Sequence, residues 1–393
     1  MNPDAGHLLW HQLQAIYWLL GKYTRSVSSE EAAMLEGGLI IGDAPGLGKT
    51  LIVLGLLGWI SNWHWRQTSG DTEVLLQGMA SLHEAGGPIF LVIPVAIMQQ
   101  WKMEAERWLQ SGSFEFFLYP GNKWERPAWW AQWKGSSTLM AKRVVLISYA
   151  LLRMEYCQIF ETKSADPANG VLAEPKETQQ DGPSLYDLVP WMIVVDEAHH
   201  ARNMATDTFR SIHHLVTTAR CCILLTATPI HNKLEDMLNL LVMGKMRTTP
   251  MLGSIARHIR QQIPIYRSRA SQHRRQLEGY QTSAEEEGAE QMPSFGDVVQ
   301  VNGSMVEKLG FGKEFLTRMV QVMRYVVAPY YIGRAHESLD WEGQPLLRLP
   351  PKTTIIRTVR LSTQEQEWYN SEKDSAHPAR KAGKVTSVGH FHS

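Results

Sequence analysis

Gly38-Leu39-Ile40-Ile41-Gly42, then Asp43-Ala44-Pro45-Gly46-Leu47-Gly48-Lys49-Thr50, then an apolar run to Ile60, is the stretch on which the fold turns. A short β-branched run, a glycine-rich turn and a helix, in that order, form the context a phosphate-binding loop requires. Gly46 and Gly48 let the backbone turn tightly and approach an anion with no Cβ in the way. Exposed amides at the helix start, with the helix dipole, favour a phosphate there. In that reading Lys49 reaches the β- and γ-phosphates of ATP and the Thr50 hydroxyl ligates Mg²⁺. The general pattern G-x-x-x-x-G-K-[ST] has glycine where this chain has Asp43, so the loop alone also fits a glycine-rich turn capping a helix.

A second stretch removes most of that ambiguity. Trp191-Met192-Ile193-Val194-Val195-Asp196-Glu197-Ala198-His199 reads as an apolar strand ending in two adjacent carboxylates. Ligands of open α/β sheets sit beyond the carboxyl ends of strands, which puts Asp196 and Glu197 where chemistry occurs. Asp196 suits a contact to Mg²⁺ through water, and Glu197 suits the base that polarises an attacking water. A lone Asp-Glu pair also suits an ordinary helix N-terminus. Downstream of a phosphate loop, at a strand end, the chemical reading is preferred. Leu224-Leu225-Thr226-Ala227-Thr228-Pro229 is another strand ending in a hydroxyl-rich turn, able to link the γ-phosphate site to a neighbouring surface by hydrogen bonds. Read alone, it is a turn.

Working outward, Gly38–Gly42, Ile89–Ile93, Val144–Ile147, Met192–Val195 and Ile223–Leu225 are apolar without alternation, the pattern of strands buried on both faces. Helical patterns over Thr50–Ile60, Ala96–Leu109, Phe209–Val216 and Leu234–Val242 lie between them. Alternating strand and helix predicts a three-layer α/β sandwich with a mainly parallel sheet and right-handed crossovers. At 44% hydrophobic and 20% charged residues, the 393-residue chain has the profile of a soluble globular protein. Its net charge of zero means that any basic surface must be local. Three cysteines without Cys-x-x-Cys spacing argue against a disulfide framework and fit a reducing compartment. Met1–His11 carries no secretory pattern, and no apolar stretch is long enough to span a bilayer.

Arg66–Gly87 and Glu161–Ser184 are polar and turn-rich, and read as surface loops. Met246–Gly312 is a longer insertion, first basic and helical, then disordered near Gln281–Pro293. Phe315–Ala328 is helix-like, Thr353–Val359 strand-like, and the polar tail from Glu372 flexible. Two readings of Arg257, Arg260, Arg267, Arg269, Arg274 and Arg275 stand side by side: a DNA-phosphate patch, or a solvated insertion balanced by Glu285–Glu287. His199, His200, His213, His214, Cys221 and Cys222 match no usual zinc spacing, and no His-Glu-x-x-His occurs to suggest a metalloprotease. Trp124, Trp129, Trp130 and Trp133 are read as a helix face packed on the sheet edge in preference to a base-stacking or partner-binding cluster.

Taken in order, these motifs resemble the Swi/Snf-type ATPases of helicase superfamily two, from about Leu8 to Tyr369 with gaps at the insertions. Leu9-Trp10-His11-Gln12 with Trp18-Leu19 is similar to the family's adenine-recognising glutamine motif. Asp43 is what the family has at that loop position. Ile93-Pro94 through Gln100-Trp101 and Arg107-Trp108, Leu146-Ile147-Ser148-Tyr149, and Asp196-Glu197-Ala198-His199 with Arg202-Asn203 resemble the succeeding motifs. Thr226-Ala227-Thr228-Pro229-Ile230-His231-Asn232 resembles the coupling motif, which usually has Gln in place of His231. Leu349-Pro350-Pro351-Lys352 and Gln366 to Tyr369 resemble the segment closing the first lobe. Ala44-Pro45 departs from the family's Glu-Met. Pro45 lacks an N–H, but it precedes the glycines whose amides do most of the cradling, so phosphate binding is expected to survive.

The resemblance implies a RecA-like, P-loop NTPase fold with a helical insertion. Residues 1–245 would form an ATP-binding lobe with loops near 66–87 and 161–184, 246–328 an insertion, 329–371 the return to the lobe, and 372–393 a flexible tail. It implies Mg²⁺ and ATP, with Gln12, Asp43, Gly46, Leu47, Gly48, Lys49 and Thr50 at the nucleotide, Lys49, Asp196 and Glu197 catalytic, Thr50 and Asp196 on the metal, and Thr226, Ala227 and Thr228 coupling. It implies double-stranded DNA or chromatin as partner, in the nucleus and not at a membrane, with Gln100, Lys102, Ser148 and Tyr149 on the DNA backbone. The family completes its site with arginines from a second RecA-like lobe. No Gln-x-x-Gly-Arg-x-x-Arg segment occurs in this chain, so slow hydrolysis in isolation is expected, with a second lobe or protein partner supplied in trans. The competing expectation is a nucleotide-binding scaffold without turnover. A P-loop kinase leaves the helicase-like motifs unexplained.

Overall fold

The computed structural model describes residues 6–25, 37–68, 86–167, 170–176, 182–229, 234–246, 324, 327–340, 342–346 and 362–371. Seven strands form one sheet in the order β3-β4-β2-β5-β6-β1-β7: β1 Leu39–Ile41, β2 Ile89–Ile93, β3 Glu115–Leu118, β4 Arg143–Ser148, β5 Met192–Val195, β6 Cys221–Leu225 and β7 Tyr331–Ile332. Every neighbouring pair runs parallel. All residues of β1, β2, β4, β5 and β6 are buried, which is why these strands, apart from Arg143 and Ser148 at the ends of β4, read as apolar runs. Each fully buried Leu, Ile or Val side chain in them contributes roughly 1.5–3 kcal/mol relative to exposure. The RecA-like α/β sandwich expected from the sequence is the fold observed.

The helices are α1 Trp10–Arg25, α2 Lys49–Thr68, α3 Val95–Trp108, α4 Arg126–Gly135, α5 Tyr149–Ile159, α6 Asp207–Thr218 and α7 Leu234–Met243. No helix among the described residues is long and apolar enough to cross a membrane. Where α1 packs on α2, a Cβ added to Gly55 would meet the ends of the Ile16 and Leu8 side chains. Both α5 and α6 are capped by the hydroxyl just before them, Ser148 accepting from Leu151 N and Thr206 from Phe209 N, each at 3.3 Å.

At one sheet edge, α4 lays Trp129, Trp130 and Trp133 on β3, with the Phe117 ring 4.9 Å from Trp133 and Trp129 stacked on Trp133 at 5.4 Å. Trp124 departs from the expected cluster. It is 79% exposed, with the Lys123 ammonium over its ring. Arg143 opens β4 from a buried position because its guanidinium donates to the carbonyls of Trp133, Ser136 and Thr138. Glu161–Ser184, expected as a surface loop, folds back in its described part. Phe160 bridges to Pro175 and Asp166 to Val171, and Phe160 and Ala173 form a small apolar cluster with Tyr156.

Residues 1–347 and 348–393 form two compact units. In the second, residues 363–371 are helical and Ser362 caps them reciprocally with Glu365. Most of 246–328, with the six arginines, Gln281–Pro293 and nearly all of Phe315–Ala328, lies outside the described residues. So do Ile230–Asn232, Leu349–Lys352, Thr353–Val359 and the tail from Glu372.

Candidate nucleotide site

The loop after β1 holds Gly46 at φ +83° and Gly48 at φ +80°, left-handed backbone that any L side chain would strain. Space around Gly46 is open, whereas a Cβ on Gly48 would strike the Gln12 amide. Gln12 and His11 are buried at the start of α1, and both reach Leu47 O, at 3.3 and 2.9 Å. The Gln12 side-chain Oε1 accepts from Leu9 N at 2.9 Å. The glutamine motif therefore holds the crown of the loop by its backbone. Lys49, the first residue of α2, donates from Nζ to Asp43 O at 2.8 Å, and Thr50 follows it, half-buried.

Asp43, the residue that departs from the general loop pattern, is fully buried. Its carboxylate is gripped by Arg334: Nε donates to Oδ1 at 2.9 Å, Nη2 donates to Oδ2, and Arg334 N donates to Oδ1 at 3.0 Å. Sequence reasoning missed Arg334.

β5 delivers Asp196, 5% exposed, between two donors: Trp101 Nε1 to Oδ2 at 2.7 Å and Glu197 N to Oδ1 at 2.8 Å. Burial raises its pKa above the ordinary carboxylate value, while the Trp101 hydrogen bond and the nearby Lys49 charge pull the other way. Glu197 sits at φ 53°, ψ 47°, one of two non-glycine residues with positive φ among those described. Such a conformation costs on the order of 1–3 kcal/mol and clusters at functional sites. Its carboxylate lies 3.1 Å from His199 Nδ1, and the same nitrogen lies 3.2 Å from Thr226 Oγ1 at the end of β6. Thr226 Oγ1 accepts from Thr228 N at 3.2 Å, and Thr226 N donates to Ile41 O of β1 at 3.0 Å. A continuous polar path thus joins the acidic pair, the Thr226-Ala227-Thr228 turn and the strand that carries the phosphate loop. Arg202 extends it, donating to His199 O at 2.8 Å and approaching Asp236 of α7 at 3.8 Å.

The four residues expected on DNA divide. Gln100 and Lys102 are exposed on α3, with Lys102 3.9 Å from Glu106. Ser148 is buried and caps α5, and the Tyr149 hydroxyl donates inward to Asp196 O at 2.5 Å. His213 and His214 lie on α6, and Cys221 and Cys222 are buried in β6. Among the described residues no three His, Cys, Asp or Glu side chains converge to hold a metal ion. The oxygens of Thr50 and Asp196 nevertheless suit Mg²⁺, a hard cation that takes one or two protein ligands and completes its shell with phosphate oxygens and water.

A parallel sheet with a glycine-rich loop leading from β1 into α2, and an acidic pair at the end of β5, defines the RecA-type, P-loop class of NTPase. Within that class the chain matches the SNF2-related domain over residues 11–390 and belongs to this family of Swi/Snf-type helicase-like ATPases. Family membership implies use of ATP. The chain is 25% identical over 359 residues to the DNA repair protein RAD5 of Gibberella zeae, covering 85% of this chain and 24% of that one. It is 24% identical over 339 residues to the DNA repair protein rad8 of Schizosaccharomyces pombe, covering 85% and 23%. The chain thus spans about a quarter of the length of these relatives. Among solved structures, the SWI2/SNF2 ATPase core of Sulfolobus solfataricus in complex with dsDNA aligns with 98% of this chain and 55% of its own, at 15% identity and a TM-score of 0.46.

Proposed function

We propose that this chain is the ATP-binding lobe of a DNA-dependent ATPase of the Swi/Snf class, acting in DNA repair or chromatin remodelling in the nucleus. Amides of Gly46 to Thr50 and the Lys49 ammonium hold the phosphates. Mg²⁺, when bound, would neutralise charge on the phosphate oxygens, with Thr50 and Asp196 as its protein ligands. Glu197 orients a water for in-line attack on the γ-phosphoryl group and takes up its proton. Thr226 and Thr228 report the state of that site through His199. The observation that carries this reading is Glu197 itself, held in a left-handed conformation and tied through His199 to Thr226. An unstrained residue at a mere helix start would need neither feature.

For DNA, the exposed side chains of Gln100 and Lys102 are the contacts this reading retains, gripping phosphates without reading sequence. Turnover by these 393 residues alone is slow, because in this family the arginines that stabilise the transferring phosphoryl group come from a second RecA-like lobe, whichever polypeptide carries it. Such an arginine is worth on the order of 10³–10⁵ in rate. The test is ATP turnover with and without duplex DNA, for the wild-type chain and Glu197→Gln. Weak turnover abolished in Glu197→Gln supports the reading. Equal behaviour of the two favours a nucleotide-binding scaffold, and robust DNA-stimulated turnover by the isolated chain overturns the requirement for a second lobe.

A further inference from the structure

We infer that Arg334 is a positioning residue for the phosphate loop, so that nucleotide affinity depends on the docking of residues 331–336 against the loop. This rests on the reading of the loop as the ATP site and adds a residue outside its motifs. Arg334 has its side chain 10% exposed and Asp43 is fully buried. The guanidinium is used on three sides: Nε and Nη2 engage the two Asp43 oxygens, and Nη1 donates to His11 O in α1. Its backbone is used as well, Arg334 N donating to Asp43 Oδ1 at 3.0 Å and Arg334 O accepting from Ala44 N at 2.8 Å.

The flanking residues continue the grip. Gly42 N donates to Ile332 O at 2.7 Å, which extends the β1–β7 ladder into the loop, and His336 Nε2 lies 2.8 Å from Pro45 O. Residues 42 to 45 are thus bound consecutively by 331–336, while His11 and Gln12 of α1 hold Leu47 from the other side. Asp43 is the hinge of this arrangement. Its side chain is fixed by Arg334 and its carbonyl accepts from Lys49 Nζ at 2.8 Å, so the pair sets where the phosphate-binding ammonium starts. A planar fork matched to a carboxylate fixes orientation as well as charge, which a lysine does not do.

The experiment compares the wild-type chain with Arg334→Gln, Arg334→Lys, the charge-neutral double variant Asp43→Asn/Arg334→Gln, and Lys49→Ala. Three readouts are taken: melting temperature, amide hydrogen exchange of residues 42–48 without nucleotide, and affinity for a fluorescent ATP analogue with Mg²⁺. Exchange in 42–48 is expected to rise in Arg334→Gln while β4 stays protected. Affinity is expected to fall about tenfold or more, by analogy with the loss seen when the partners that orient metal ligands are removed. Arg334→Lys and the double variant are expected to recover melting temperature without recovering affinity. Unchanged loop exchange overturns the inference, as does faster exchange with affinity intact, or full recovery of affinity by lysine. If the wild-type chain binds the analogue no better than Lys49→Ala, the nucleotide reading itself fails and the inference goes with it. That result is told apart from the others by the wild-type control.

Discussion

The phosphate loop and the acidic pair lie at the carboxyl ends of the same sheet, on β1 and β5 with β6 between them, but different parts of the chain hold them. The acidic pair is fixed from within the lobe's middle: Trp101 of α3, Tyr149 at the start of α5 and Thr226 after β6 all engage Asp196 or, through His199, Glu197. The loop is fixed from the two ends of the described lobe, by His11 and Gln12 near one and by Arg334 and His336 near the other. One half of the site is therefore as firm as the sheet core, and the other is as firm as the docking of two peripheral segments.

Perturbations aimed at each half separate these supports. Glu197→Gln should lower ATP turnover by about 10²–10⁴, the usual contribution of a positioned acid or base, while melting temperature changes little, because glutamine keeps the left-handed backbone and loses only the carboxylate charge. Steady-state kinetics with calorimetry check this. Acid should weaken the packing of α6, which follows the acidic pair in the chain, through His213. Burial first, then the charges of His214 and Lys245, depress its pKa to about 4 from an ordinary 6.5. The unfolded chain takes up that proton first, so this contribution is intact above pH 6.5 and is lost as pH falls through about 4. His213→Phe should shrink the loss of stability over that window by about 2–3 kcal/mol in denaturant melts at several pH values.

On the loop side, the two glycines make a matched pair. Gly46→Ala should cost about 1–2 kcal/mol for the left-handed backbone alone. Gly48→Ala should cost more and weaken nucleotide binding, because its methyl also displaces the Gln12 amide from Leu47. Equal effects in urea melts and ATP titrations would show that Gln12 does not brace the loop. Trp101→Phe removes the indole donor from the buried Asp196 carboxylate and leaves a cavity around a fully buried side chain, at a cost of roughly 2–4 kcal/mol. It should leave loop exchange untouched if the two halves are held independently.

Legibility from sequence follows the same division. β2, β5 and β6 are buried on both faces, so composition alone marks them, and the two motifs that end β1 and β5 stood out as strand-end chemistry. β3 escaped because it is an edge strand of four residues with only Phe117 buried, and β7 because two residues carry no period. α5 was hidden by Glu155, a charge inside an apolar face whose burial is made possible by Tyr119, Arg126, Ser184 and Leu185 N. Arg334 was invisible for a different reason. Asp43 is 291 residues away, and neither residue's local pattern announces the other. Trp101 sat within a quoted motif, yet its indole N–H acquires meaning only when α3 is placed beside β5. The family resemblance implies a DNA contact for Ser148 and Tyr149, and here both hydroxyls are used inside.

The separation between Asp43 and Arg334 also sets an order of events during synthesis. A ribosome adding about 5–20 residues per second needs roughly 15–60 s to pass from one to the other. Through that interval β1 to β6 can assemble as a sheet, with the Asp43 carboxylate at its end awaiting a counter-charge not yet made. On the inference drawn above for Arg334, a nascent chain that has assembled β1 to β6 still lacks the partner that positions its glycine-rich loop.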